Sequence, residues 1–168
     1  MKYKIGEFIS KPVTGVCKVE DILHLKMDGV KNDALYYLLI PIENSREKIY
    51  IPVTSLKYNL RPCLTAEEAW DLIKKVPAIQ ELQVDNEKQR EQIYKNEIRS
   101  NDPEALISLI KMIYHRKMDR VSHGKKIISL DEKYFELAEN LLYMELGMAL
   151  GKPKQDICQT IIDYHNQS

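Results

Sequence analysis

The chain has 168 residues, 44% hydrophobic and 30% charged, and its 25 basic and 25 acidic side chains cancel to a formal net charge of zero. That length allows one or two small domains with a real core, and the neutral balance excludes nucleic-acid binding through overall positive charge, leaving room only for a local patch. With no run of eighteen apolar residues and no signal-peptide core in MKYKIGEFIS, no membrane partner is expected and the chain reads as cytoplasmic.

In chain order, Glu7, Phe8 and Ile9 form the first strand candidate. Residues 11–15, KPVTG, make a turn, because proline fixes φ and glycine accepts positive φ. Residues 16–22, VCKVEDI, alternate apolar and polar at the period of a half-buried strand, which leaves open whether Val16 or Cys17 faces the core. A loop is expected over 27–33, an aromatic-rich strand over 35–40 (LYYLLI) and a polar turn over 43–46. Residues 48–53 read as a further strand whose Pro52 belongs at an edge or bulge. Short strands joined by turns predict a small, strongly bent sheet or barrel.

The pattern changes near Pro62, and everything after it reads as helix. Thr65 and Glu68 have the spacing of a capping box ahead of a helix over 67–75, which Pro77 ends. A second helix runs from Asn86 or Glu87 to Arg99. Asp102-Pro103-Glu104 starts a third, with an acceptor cap and proline at the first helical position. Leu106, Ile107, Leu109, Ile110, Ile113 and Tyr114 give that helix one apolar face. After a lysine-rich loop around Gly124, Ser129 and Glu132 suggest a second capping box. The long helix that follows carries Tyr134, Phe135, Leu137, Ala138, Leu141, Leu142, Glu145 and Leu146, stops at Gly151, and gives way to a short last helix after Pro153. The expected fold class is α+β: a small β domain over residues 1–62 and an all-helical domain over 63–168. Each is small enough to lean on its neighbour or on a partner.

The chemistry-bearing residues are sparse. Cys17, Cys63 and Cys158 lack CxxC spacing and read as reduced, mostly buried thiols. His24, His115, His123 and His165 form no metal-binding pattern, so neither metal nor cofactor is expected. Acidic pairs such as Glu67/Glu68 and Asp131/Glu132 sit at helix starts, where they compensate the dipole. Ser122, His123 and Ser129 lack the elbow motif and acid partner of a nucleophile site, and Gly124-Lys125-Lys126 is too short for a phosphate loop. No enzyme is expected.

Two features invite partners. Residues 111–133 concentrate Lys111, Arg116, Lys117, Arg120, Lys125, Lys126 and Lys133 against Asp119, Asp131 and Glu132. These cations either offset a helix C-terminus or touch phosphates in a weak, salt-sensitive way. The strand around Glu47, Lys48, Ile49, Tyr50 and Ile51 either offers an open edge to a partner strand or is blunted by Lys48 and Pro52.

Four N-terminal segments, KIGEFI, GVCKVEDI, YYLL and IYIPV, resemble the N-terminal module of the CarD-like family of bacterial RNA polymerase-binding transcription regulators, which transcription-repair coupling factors share. REQIYK, SNDP, the helix over 109–120, LDEKY and LLYMEL fit the family's helical half, and the chain looks like a member from low-GC Gram-positive bacteria. The resemblance implies a Tudor-like or SH3-like barrel that binds a lobe of the polymerase β subunit by a strand edge. Here that edge matches Glu47, Lys48, Ile49, Tyr50, Ile51 and Pro52, with Leu25 near a second contact. The family often has arginine where this chain has Leu25 and Tyr50. The helical half, by the same resemblance, contacts promoter DNA at the upstream edge of the melted bubble and stabilises the open complex. A tryptophan wedge of the family falls at Glu87, while Arg90 matches a basic contact position. Trp70, the one tryptophan, is expected in the core or at the domain junction. The expected DNA-facing set is Glu87, Arg90, Lys95, Arg116, Lys117, Lys125 and Lys126. The implied protein is a monomeric, non-enzymatic regulator, nucleoid-associated through polymerase, with the polymerase β subunit and promoter DNA as partners. The rival is a protein-interaction module that ignores DNA.

Overall fold

A computed structural model describes residues 2–26 and 34–167 of the chain. The loop expected over 27–33 lies outside the described residues. The chain divides into two compact units, Met1–Cys63 and Leu64–Ser168. The first is an antiparallel sheet and the second is helical, an α+β arrangement consistent with a Tudor/SH3-like domain followed by a helical one.

In the first unit, β1 (Phe8–Lys11), β2 (Gly15–His24), β3 (Leu35–Pro41), β4 (Ile49–Pro52) and β5 (Arg61–Pro62) form a sheet of order β4-β3-β2-β1-β5. β1 and β2 pair as a hairpin from Phe8↔Lys18 to Lys11↔Gly15. Its turn puts positive φ on Gly15, as expected, and also on Val13, whose branched side chain disfavours that region. The register question at Val16 and Cys17 resolves in an unexpected way. Cys17 and Val19 join the core with Tyr3, Ile9, Tyr37, Leu39 and Ile51, while Val16 is buried outside that cluster. The inward set then moves from Val19 to Ile22, because a bulge lies between Val19 and Asp21. The N-terminus is tied down by Tyr3, whose N–H donates to Tyr37 Oη at 3.2 Å and whose hydroxyl donates to the Leu60 carbonyl at 3.1 Å. Burial pushes the Cys17 thiol up to about 11, so it packs and does not react. The expectation of mostly buried thiols is corrected for Cys158, which is exposed, and for Cys63, which is half-buried.

The second unit contains α1 (Ala66–Lys75), α2 (Arg90–Arg99), α3 (Pro103–Ser122), α4 (Ser129–Leu150) and α5 (Ile157–Asn166). The Thr65/Glu68 capping box forms in full, and Asp102 caps α3 by accepting from the Glu104 N–H at 2.9 Å. Beyond Lys75 the chain tightens into a 3-10 turn at Val76–Ala78. There the Lys111 ammonium donates to the carbonyls of Val76 and Ile79, so α3 closes the end of α1. The core gathers Ala69, Leu72, Ile73, Tyr94, Ile98, Leu106, Leu109, Ile113, Ala138, Leu142, Leu146 and Ile157.

Three helical expectations are corrected. Ser129 is the first residue of α4, not its cap: Ile128 takes that place without a side-chain bond, so the second capping box does not form. Of the two places expected for Trp70, the core is ruled out: it is 39% exposed, because Ala69, Leu72 and Ile73 take the inward positions of α1, and its ring lies tilted against Tyr164 with centroids 5.9 Å apart. Tyr114 is 49% exposed, so the apolar face of α3 ends before it, while the segment before α2 runs along the helix through Ser108, whose Oγ donates to the Gln80 carbonyl, and His115, which meets Glu81.

α4 ends at Gly151, which adopts φ 65°, and the chain folds back so that the Lys152 N–H donates to the Gly147 carbonyl at 2.9 Å. A Cβ at Gly147 would lie 2.7 Å from the Lys152 carbonyl oxygen. Gly147→Ala is expected to lower stability by about 1–3 kcal/mol despite alanine's better helix propensity, because backbone must move. A urea melt showing a midpoint equal to or above wild type would contradict this close approach.

Candidate functional site

β4 is an end strand of the sheet among the described residues, paired on one side with β3 through Tyr36↔Pro52, Tyr37↔Ile51, Leu38↔Tyr50 and Leu39↔Ile49. The direction of its polar groups follows from one bond. The Val53 N–H donates to the Leu35 carbonyl at 3.0 Å, in the same register. Hydrogen-bonded and non-bonded pairs alternate in an antiparallel ladder, so Ile49 and Ile51 turn their main-chain groups toward β3. Tyr50 and Pro52 turn theirs outward. Pro52 has no N–H, and its carbonyl already accepts from Ser55 N at 3.0 Å. The outward donor and acceptor that β4 offers are therefore those of Tyr50, whose side chain is also exposed.

The other residues expected at this edge divide accordingly. Glu47 and Lys48 are exposed just before β4, with the Glu47 N–H held by the Asn44 carbonyl at 3.1 Å. Ile49 is half-buried. Ile51 is fully buried in the core, and its main chain faces β3, so it supports the edge and presents nothing to a partner. Leu25 follows β2 at the end of the sheet where Tyr36 pairs with both Leu23 and Pro52, which puts it near the close of β4, two strands over.

In the helical unit, five of the polar side chains form a closed circuit. Arg90 donates from Nε and Nη2 to the Glu87 carboxylate at 2.8 and 2.5 Å, and from Nη1 to the Tyr94 hydroxyl at 2.8 Å. The Tyr94 hydroxyl donates to Asp131 Oδ1 at 2.7 Å, and Arg116 Nε donates to Asp131 Oδ2 at 2.7 Å. Arg116 Nη1 returns to Glu87 at 3.7 Å. Asp131 is 0% exposed, and Arg90 and Tyr94 are buried as well. The hydrogen bond from Arg90 holds the Glu87 carboxyl below the usual carboxylate range and pushes the Arg90 guanidinium further up. Burial first, and the bond to Asp131 second, push the Tyr94 hydroxyl up to about 12. Glu87, Arg90 and Arg116, three of the seven residues expected to face DNA, are thus engaged with one another and with α4.

The other four stand differently. Lys95 pairs with Glu91 one turn back on α2 at 3.6 Å. Lys117 lies over the Phe135 ring at 4.1 Å from the centroid. Lys125 and Lys126 are exposed in the turn that closes α3, where the Lys125 N–H donates to the Arg120 carbonyl and Arg120 Nε donates to that of Lys126. Gly124, at φ 71°, permits this turn. Both roles read for this cluster are compatible with the geometry, since a cation at a helix C-terminus remains open to an anion.

Sequence reasoning missed the Tyr94–Asp131 bond, because Asp131 in a first turn looks like dipole compensation. It also passed over Leu56, a large apolar side chain that is 96% exposed. Among the described residues, no group of three or more His, Cys, Asp or Glu side chains could hold a metal ion, and no helix is long and apolar enough to cross a membrane.

Residues 3–64 match the family described as CarD-like/TRCF RID domain. No curated protein matches the chain. Domains of this kind are protein-interaction modules that bind the RNA polymerase β subunit.

The buried circuit makes two predictions. Asp131→Ala strands Tyr94 and Arg116 and is expected to cost about 3–5 kcal/mol, read from denaturant unfolding; a loss under about 1 kcal/mol would contradict it. Tyr94, Tyr134 and Tyr143 all have hydroxyls raised by burial first. Groups raised in the folded state contribute fully below the unfolded tyrosine value and lose that contribution as pH climbs through the folded one. The urea midpoint is therefore expected to fall as pH rises from about 10 to about 12, and a flat profile across that range would refute this.

Proposed function

We propose, for a chain that belongs through residues 3–64 to the CarD-like/TRCF RID family, a non-enzymatic transcription regulator that docks on the RNA polymerase β subunit by the outer edge of β4 and reaches promoter DNA with its helical unit. The observation that carries the docking half is the outward main-chain pair of Tyr50 on an end strand. Such groups recruit an extended segment by main-chain pairing, with Lys48 and the Tyr50 side chain beside it to set register. Leu25 forms a neighbouring contact at the same end of the sheet.

Toward DNA, the phosphate-facing residues are Lys125 and Lys126, joined by Lys117 of α3 and Lys95 of α2. Arg90, Arg116 and Glu87 hold the corner in shape and do not touch DNA directly. A regulator tethered in this way acts by binding the open promoter complex better than the closed one, and it shifts that equilibrium by no more than its differential affinity. A reading without DNA contact also has support. The net charge is zero, and two of the arginines at the corner are spent on internal carboxylates.

Binding to polymerase tests the docking half. Tyr50→Pro removes the outward donor without touching the β3–β4 ladder, whereas proline at Ile49 would break that ladder. Tyr50→Pro is expected to weaken polymerase binding about tenfold or more at unchanged fold, measured by calorimetry and circular dichroism; unchanged affinity would remove the edge from the interface. For the DNA half, the salt dependence of promoter binding by the full chain with polymerase is expected to fall in slope by about 2 when Lys125 and Lys126 become alanine. An unaltered slope would favour the reading without DNA contact.

A further inference from the structure

The outer edge of β4 is short of main-chain groups. Pro52 contributes no donor, its carbonyl is taken by Ser55, and the chain turns away immediately afterwards. Pairing limited to the N–H and carbonyl of Tyr50 contributes too little to hold two proteins together, so side-chain contacts must supply the rest. The surface just beyond Pro52 is suited to that. The turn that takes the Pro52 carbonyl places Leu56 in solvent with 96% of its surface exposed, an unusual position for so large an apolar side chain. Beside it opens a cleft of about 200 Å³ whose apolar walls are Tyr3, Tyr37, Val53, Leu60 and Leu56, with Lys2, Ser55 and Asn59 on its polar side. That volume lies below the range of about 300–1,000 Å³ for small-molecule sites and suits a single side chain.

The cleft also lies on the correct face. Residues opposite one another in a sheet project to the same side, and Tyr37 pairs with Ile51, which points into the core. A strand laid along the outer edge of β4 would turn the residues opposite Ile51 and Val53 toward that same side, where the cleft opens. We infer that this cleft, with Leu56 as its rim, receives one apolar side chain from the polymerase β segment that pairs with β4, and that this pocket selects the segment. Main-chain pairing then sets orientation, and the pocket supplies specificity. The inference rests on the edge-docking reading proposed above.

The test compares purified bacterial RNA polymerase binding by full-length wild type, Leu56→Ser, Leu56→Asp, Leu56→Met and Tyr50→Pro. Leu56 contributes nothing to the core, so thermal melts of its variants are expected to match wild type. Leu56→Ser and Leu56→Asp are expected to weaken binding by about tenfold or more, with Leu56→Met close to wild type. Loss in Tyr50→Pro with Leu56→Ser and Leu56→Asp both within about twofold of wild type would overturn the cleft while leaving the edge standing. Wild-type affinity in Tyr50→Pro would instead sink the edge reading, and the inference with it. A wild-type dimer in sedimentation that Leu56→Asp dissociates would give the cleft to a second copy of the chain and likewise overturn it.

Discussion

Asp131 is a carboxylate with no exposed surface at the start of α4, and the helical unit is arranged around its two oxygens. One accepts from Tyr94 of α2 and the other from Arg116 of α3. A buried charge is tolerable only when paired and hydrogen-bonded, so these three helices have little freedom to slide or rotate against one another. Arg90 and Glu87 extend the circuit to the surface and balance its charge, two cations against two anions. Such circuits contribute little net stability relative to an apolar core, yet loss of one partner is costly because it leaves the other charge buried and unpaired.

That arrangement determines which basic residues remain for a partner. Arg116 and Arg120 are four residues apart on α3 and look equivalent in the sequence. Arg116 is held by Asp131, and Arg120 braces the turn through the Lys126 carbonyl. The freely presented charge therefore falls on the two lysines of the turn. In the sheet unit a comparable selection operates through parity. Alternate residues of β4 face β3 and solvent, and the one position before the turn with both main-chain groups outward is Tyr50. The edge is open enough to pair with a short segment and too short to template a long one, which also limits uncontrolled strand addition.

Much of the fold was legible from local pattern. The strands around Ile9, Val19 and Leu39, the Thr65 capping box, the Asp102-Pro103 start and the Gly151 stop each depend on residues within one or two turns of each other, so sequence neighbours carry the signal. The failures share a different property. Trp70 was assigned by its apolar bulk and Tyr114 by helical spacing, but exposure depends on what packs over each side chain, which neither property specifies. Ser129 and Glu132 had the spacing of a capping box, yet α4 begins one residue too early for it, at the place where Asp131 can enter the circuit.

By itself the sequence determined the change from strand to helix near Pro62, the order of elements, the helix boundaries with local caps, and a likeness to a polymerase-binding module. The first three are written in short-range periodicity and in backbone preferences of proline, glycine and the capping residues, and the likeness rests only on resemblance of whole segments such as KIGEFI and IYIPV. Only the tertiary structure decided that Arg90 and Arg116 turn inward, that Ile51 is core and Tyr50 edge, and that Leu56 stands beside a cleft. These outcomes depend on pairings between residues far apart in the chain, Tyr94 with Asp131 and Leu35 with Val53, and on the parity and burial that such pairings impose.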